Sequence, residues 1–118
     1  MGLFKNLLKK AAGKEIEFKV AGVTFKNGRR TRQAILRAMK YKDNGFETVE
    51  ITLQRYDFEG SVAIGVYANG EQIGNVPKEI KDTVNDAWTG RYVVEEWEIL
   101  GSGKEAPLGC RIKILFER

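Results

Sequence analysis

Residues 61–82, SVAIGVYANGEQIGNVPKEIKD, decide how this chain folds. The first eight are apolar on both sides around Ala63 and Gly65, the pattern of a strand in the middle of a sheet. Asn69-Gly70 follows, and both residues tolerate the positive φ that a two-residue hairpin turn demands. GEQIGNV then reads as the returning strand. Pro77 suits the first turn of a helix, where its missing N–H leaves no bond unmade. Ile80, Val84 and Trp88, four apart, give that helix a buried stripe.

Working outward, ETVEITLQR (47–55) alternates, with Val49, Ile51 and Leu53 inward, and YDFEG is read as the loop after it. Upstream, RRTRQAILRAMKYKD (29–43) is helical. Ala34, Ile35, Ala38 and Met39 cover one side and Arg30, Arg37 and Lys40 another. IEFKVAGVTF (16–25) reads as a strand whose apolar phase slips by one at Ala21-Gly22, as at a β-bulge. Downstream, RYVVEEWEIL (91–100) and CRIKILF (110–116) are strands joined by the glycine-rich GSGKEAPLG.

The order β-α-β-β-β-α-β-β predicts an α+β fold in which about six antiparallel strands curl into a small barrel with two helices. Leu3, Phe4, Leu7, Leu8, Ala11 and Ala12 fall at helical spacing, so residues 1–14 read as a short amphipathic helix or tail. A docked or frayed terminus is favoured there over a membrane role, because one short helix buries too little to anchor. Residues 15–118 are then a single domain.

Composition narrows the chemistry. The chain has no histidine and one cysteine, Cys110, which excludes Ser-His-Asp and Cys-His pairs, the usual zinc sets and an internal disulfide. No apolar run approaches the ~20 residues of a membrane span, and no signal-peptide core is present, so cytoplasmic residence is expected. Charge is polarised. Residues 1–42 hold twelve Lys/Arg against Glu15 and Glu17, whereas residues 43–118 hold eight against fourteen acids. A basic half of this kind attracts polyanions.

Two motifs fail on inspection. GSGKE (101–105) lacks both the earlier glycine and the Ser/Thr that a phosphate-binding P-loop needs, since Glu98 and Glu105 stand at those places. Glu17-Phe18-Lys19 has the spacing of half a metal-dependent nuclease site, but Glu15, two residues away on the same strand, is the only earlier acid. An exposed strand face is the better reading, and neither a metal nor a cofactor is expected. What survives is electrostatic. Lys26, Arg29, Arg30, Arg32, Arg37, Lys40 and Lys42 cluster after strand 1 and on helix 1, with Arg55, Tyr56, Lys78 and Lys81 able to share their rim. The N-terminus of the second helix is expected to offer an anion site beside Lys78.

In motif order the chain resembles a HIRAN domain, the module found at the N-terminus of some SWI/SNF-type DNA-remodelling helicases and also alone in bacteria and phages. The blocks that carry the resemblance are VAGVTF (20–25), VEITLQR running on to VAIGVY (49–67), and GEQIGNVPKEI (70–80), with VEEWEILGSG and GCRIKILF fitting the closing strands. The resemblance spans about residues 16–116. It implies an OB-like or SH3-like barrel that binds single-stranded DNA, in some members by capturing a 3′ end. Carried across by position, Thr24, Phe25 and Lys26 fall where the family places aromatic and basic contacts, Arg55 ends the second block, and Asn75 and Lys78 lie near the bound phosphates. Where the family carries an Asn-Pro-Tyr-Asp-like loop this chain has the shorter YDFEGSV, with Tyr56 and Asp57 in its place. General binding to single strands or ends is therefore the expectation.

The expected function is that of a non-enzymatic DNA-binding module, an accessory to repair, replication or a mobile element. Its site comprises Phe25, Lys26, Arg29, Arg30, Arg55, Tyr56, Asn75 and Lys78. DNA is the expected partner, together with a repair or helicase protein, and a membrane is not. A protein-interaction adaptor without a nucleic-acid role is the alternative.

Overall fold

Pairing of the hairpin around Asn69-Gly70 organises half of the molecule. The computed structural model describes residues 13–27, 30–104 and 106–117. The helix or tail expected over residues 1–14 lies outside these except for its last two residues, which open the first strand. β2 (Ile51–Phe58), β3 (Ser61–Ala68) and β4 (Glu71–Asn75) form an antiparallel meander. β1 (Gly13–Lys19), β6 (Gly109–Glu117) and β5 (Tyr92–Leu100) form a second antiparallel sheet with β6 in the centre. Among the described residues two helices, α1 (Arg32–Tyr41) and α2 (Lys81–Ala87), complete an α+β fold.

Both hairpins of the meander turn on a pair of left-handed residues. Asn69 and Gly70 have φ of 49° and 82°, as their identities require. Glu59 and Gly60 have φ of 53° and 83°. The stretch expected to be a loop, YDFEG, is thus mostly strand: β2 runs on through Tyr56, Asp57 and Phe58 before a two-residue turn. A single glycine, Gly60, suffices for that turn, which the sequence signal understated.

The first strand departs further from expectation. β1 stops at Lys19, and the phase slip at Ala21-Gly22 marks a turn instead of a bulge. Gly22 has φ 72°, and the Phe25 N–H donates to the Gly22 carbonyl at 3.2 Å. Between strand and turn, Val20 donates to Cys110 O at 2.8 Å. Ala21 and Asn75 exchange two backbone bonds of 2.8 Å. This bridge ties the two sheets at one edge.

On the other side no ladder joins β2 to β5 among the described residues. There the Leu53 N–H donates to Tyr92 Oη at 2.8 Å, and a cavity of about 430 Å³ lies between Ile51, Thr52, Tyr92, Val94 and Trp97.

The inner faces follow the expected alternation. Ile51 and Leu53 of β2 pair with Ala68 and Val66 of β3, and all four are buried. Ile112, Ile114 and Phe116 of β6 face them, with Ile35, Leu36 and Met39 of α1 fully buried in the same core. α1 begins later than expected, because Thr31 is its N-cap and accepts from the Ala34 N–H through Oγ1 at 3.0 Å. Cys110 is also buried, and burial pushes its thiol up to about 12, so it acts as a small apolar residue at neutral pH.

The second helix differs from the reading based on Pro77. That proline precedes a turn, closed by the Ile80 N–H donating to Pro77 O at 3.1 Å, and the helix starts only at Lys81 with no side-chain cap. Of the expected stripe, Val84 is fully buried and Ile80 and Trp88 pack against the core.

Candidate nucleic-acid interface

The strand registers place one row of side chains on the outer face of the meander. Residues paired across an antiparallel ladder point the same way, and every second residue along a strand shares a face. Thr52–Tyr67, Gln54–Gly65, Tyr56–Ala63 and Phe58–Ser61 are such pairs and alternate with the buried ones. β4 adds to this face through an irregularity. The register shifts between Val66 and Tyr67, which leaves Ile73 as an extra residue turned inward. That shift sets Gln72 opposite Tyr67 and Asn75 opposite Gly65, so both amides lie on the outer face. A regular ladder would have turned one of them in.

Gly65 makes room for an aromatic ring. A Cβ there would sit 2.8 Å from Tyr67 Cε1 and 3.2 Å from Gln72 Nε2, so the ring lies directly over the glycine backbone. Asn75 Nδ2 donates to Tyr56 Oη, and Asn75 Oδ1 accepts from Gln72 Nε2 at 3.4 Å. The two tyrosines, Gln72 and Asn75 thus form one polar cluster over a small-residue floor.

Over its edge folds the segment Gly22–Asn27. Asn27 pins it, donating through Nδ2 to Gln72 O at 2.7 Å and accepting from Arg32 Nε at 3.0 Å. Arg32, only 7% exposed, also donates from Nη1 to Gly22 O at 2.9 Å and has Phe25 above it, 5.5 Å from Cζ to the ring centroid. No acid among the described residues pairs with Arg32, and Nη2 has no acceptor among them while staying open to solvent. Burial lowers the proton affinity of this guanidinium, and the neighbouring hydroxyls of Tyr56 and Tyr67 partly restore it. Burial likewise pushes the Tyr67 phenol up, with Tyr56 adding to that and Arg32 opposing it. The site is a partly desolvated positive charge framed by three aromatic rings.

The structure brings together four of the residues expected from sequence and separates others. Phe25, 64% exposed, and Lys26 lie on the overhanging segment. Tyr56 and Asn75 form the cluster, and Lys78 stands exposed three residues beyond Asn75 with no partner among the described residues. Lys78 belongs to the turn before α2, three residues ahead of the first helical residue, Lys81. Arg29 lies outside the described residues. Arg30 is committed elsewhere: Nε and Nη2 grip Glu71 at 2.8 and 2.6 Å, its Cζ lies 5.2 Å from the Phe46 centroid, and Glu71 raises its pKa.

Arg55 is placed apart from these residues. It pairs with Ile64, on the face opposite Tyr56, and its Cζ stacks 3.9 Å from the Trp88 centroid. Its Nη2 donates to Trp88 O at 2.5 Å and its Nε to Asn85 Oδ1 at 2.7 Å, closing the C-terminal end of α2. Trp88 in turn meets Tyr92 edge-on at 5.5 Å. Arg55 therefore clasps the open side of the two sheets, on the face opposite Tyr56. Arg55→Ala is expected to lower stability by about 1–2 kcal/mol in a denaturant titration while single-strand affinity stays unchanged. Lost affinity at full stability would return Arg55 to the site.

The candidate site adds Tyr67, Gln72 and Phe58, which the sequence did not single out, and Arg32, which it placed only within the basic cluster. For Tyr67 a signal existed, since Ala63, Gly65 and Tyr67 at spacing two give a strand face with two small residues beside a large ring. For Arg32 none did, because nothing local distinguishes it from the arginines beside it.

The charges on the other sheet are mutually compensated. Arg111 meets Glu17, Glu96 and Glu98 at 3.2–3.4 Å, and Lys113 meets Glu15 and Glu96 at 3.7 Å. Glu17, the acid of the nuclease-like spacing, is thus an ion-pair partner on a strand face. Among the described residues no group of three His, Cys, Asp or Glu is placed to hold a metal ion, and no helix is long and apolar enough to cross a membrane. No family model matches the chain, nor does any curated protein or solved structure.

Proposed function

We propose that this chain is a HIRAN-like, non-enzymatic DNA-binding module that takes a single strand or a strand end on the outer face of β2, β3 and β4. In this reading the two sheets are the halves of an OB-like barrel left open between β2 and β5. The module works in the cytoplasm beside a repair or helicase protein. The observation that carries the reading is Arg32, a buried guanidinium with no acid partner among the described residues, beneath Phe25 and beside Tyr56 and Tyr67. A partly desolvated charge without an opposite charge is costly, so this guanidinium favours an anion, and a phosphate oxygen can accept from its free Nη2. The rings around it offer stacking faces that any base can use.

Spacing favours a single strand over a duplex. Tyr56 and Phe58 stand two residues apart on β2, about 6.8 Å, twice the ~3.4 Å rise of stacked bases. Successive bases reach both rings only when the strand is unstacked and extended.

The test is a titration of the chain with 3′-ended, 5′-ended and circular single strands and with duplex. Arg30 and Arg55 are already engaged by protein, so among the described residues Lys26 and Lys78 remain of the expected charges, and Arg32 joins them. Three phosphate contacts predict that log K falls against log salt with a slope of about −2 for single strands. Binding that ignores salt, or no binding at low salt, overturns the reading. The open β2 and β5 edges favour a second reading, an adaptor that accepts a partner's strand. A partner retained after nuclease treatment, by a chain that binds no DNA, would establish it.

A further inference from the structure

We infer that the exposed face of α1, together with the β5–β6 loop, holds the backbone of duplex DNA adjoining the bound strand. The preferred ligand is then a duplex with a short single-stranded tail. The inference rests on the single-strand reading above and extends it to a second surface.

Arg37, Lys40 and Lys42 are exposed on or just after α1, and no acid among the described residues pairs with them. Residues 26–42 contain no acid at all. Lys104 joins them from another element. The loop that carries it is held against the helix by Lys40 Nζ donating to Gly101 O at 2.7 Å and by Gln33 bonding both the N–H and the carbonyl of Leu108 at 2.8 and 2.9 Å. Gly103 lies so near that a Cβ on it would come 2.9 Å from Arg37 Nη2. The cations of the opposite sheet are neutralised by glutamates, and these are not. Lys40 and Lys42 also suit the negative end of the helix dipole. That accounts for neither Arg37, in mid-helix, nor Lys104, on a loop.

The chemistry of this face differs from that of the aromatic site. Its one exposed ring, Tyr41, has Lys40 Nζ 5.7 Å from its centroid, so charge is what it offers. Charge alone contacts phosphates without reading bases. A duplex presents about one charge per 1.7 Å of axis, twice the density of one stacked strand, and gains more from such a face. Arg32 opens α1 and Lys40 follows eight residues on, about 12 Å along the axis at 1.5 Å per residue. At the ~6.8 Å per nucleotide of the extended strand that separation spans about two nucleotides. A tail of about two nucleotides would place its end at Arg32 and the duplex on α1, and a four-nucleotide tail leaves about two more for the rings beside Arg32.

The experiment compares a DNA hairpin bearing a four-nucleotide tail, a blunt hairpin and a short single strand of the tail sequence. Wild type is set beside the triple variant Arg37→Gln/Lys40→Gln/Lys104→Gln. Wild type is expected to bind the tailed hairpin about tenfold or more tightly than the single strand, with a salt slope steeper by about two to three. The triple variant loses that advantage and keeps its affinity for the single strand. Equal affinity for the tail alone and the tailed hairpin overturns the inference and leaves the single-strand reading intact. So does a triple variant that retains the tailed-hairpin advantage. A blunt hairpin bound as tightly as the tailed one overturns the single-strand reading and the junction with it.

Discussion

Gly74→Ala is expected to lower stability by about 3 kcal/mol or more, a fall in melting temperature on the order of 10–20 °C. A Cβ at Gly74 would collide with the carbonyl oxygen of Ala21 and with Val20 Cγ1. Neither can retreat cheaply. Val20 is 4% exposed and bonded to β6, and Ala21 exchanges two backbone hydrogen bonds with Asn75. Those bonds join the two sheets at one edge, so relieving the clash means opening the joint between them. Gly90→Ala is the control, since nothing lies within 4 Å of a Cβ there, and its effect is expected to stay within about 0.5 kcal/mol. Thermal melts of the two variants side by side decide the matter. Equal melting temperatures would show that the Ala21–Asn75 bridge is dispensable.

Arg32→Met is expected to separate binding from folding. The loss of one charge-assisted phosphate contact, about 2 kcal/mol, lowers single-strand affinity roughly thirtyfold. Stability moves by no more than about 1 kcal/mol in either direction. The variant gives up bonds to Asn27 and Gly22 but no longer buries a guanidinium without an acid, and methionine fills a similar volume. Arg32→Lys keeps the charge without the fork and is expected to fall between the two. Affinity is read by anisotropy and stability by denaturant titration on the same samples. A variant that unfolds by several kcal/mol while its residual folded fraction binds normally would make Arg32 a structural residue.

These two positions show where sequence reasoning reaches its limit. Asn69-Gly70 announced a hairpin, because only a few residue types accept positive φ at both turn positions, and it forms there. Ile51 and Leu53 alternated as a half-buried strand and are buried. The α+β class and the antiparallel order of strands followed from such local rules. Gly74 gave a weaker signal, a glycine inside a strand, whose meaning depended on a segment more than fifty residues earlier. The YDFEG stretch misled for a related reason. Its polar residues suit an exposed strand end as well as a loop, and pairing with β3 decides between them.

The site was legible in kind and only partly in detail. Excess positive charge in residues 26–42 and aromatic residues at Phe25 and Tyr56 were visible in the chain. Which arginine remains available was not. Arg30, Arg32 and Arg55 are chemically identical, and their fates diverge with their neighbours: Arg30 on Glu71, Arg55 on Trp88, and Arg32 beneath Phe25 without an acid partner among the described residues.

By itself, then, the sequence determined the elements, the turns that join them and the sign of the charge near the first helix, because these depend on backbone preference, periodicity and composition over a few residues. Tertiary structure alone decided that Gln72 and Asn75 share the face of Tyr56 and Tyr67, and which arginine lies beside them without an acid partner among the described residues. Those outcomes rest on a one-residue register shift in β4 and on contacts between residues far apart in the chain. A shift of one residue turns a side chain to the other face of a sheet, and an ion pair depends on where its partner comes to lie.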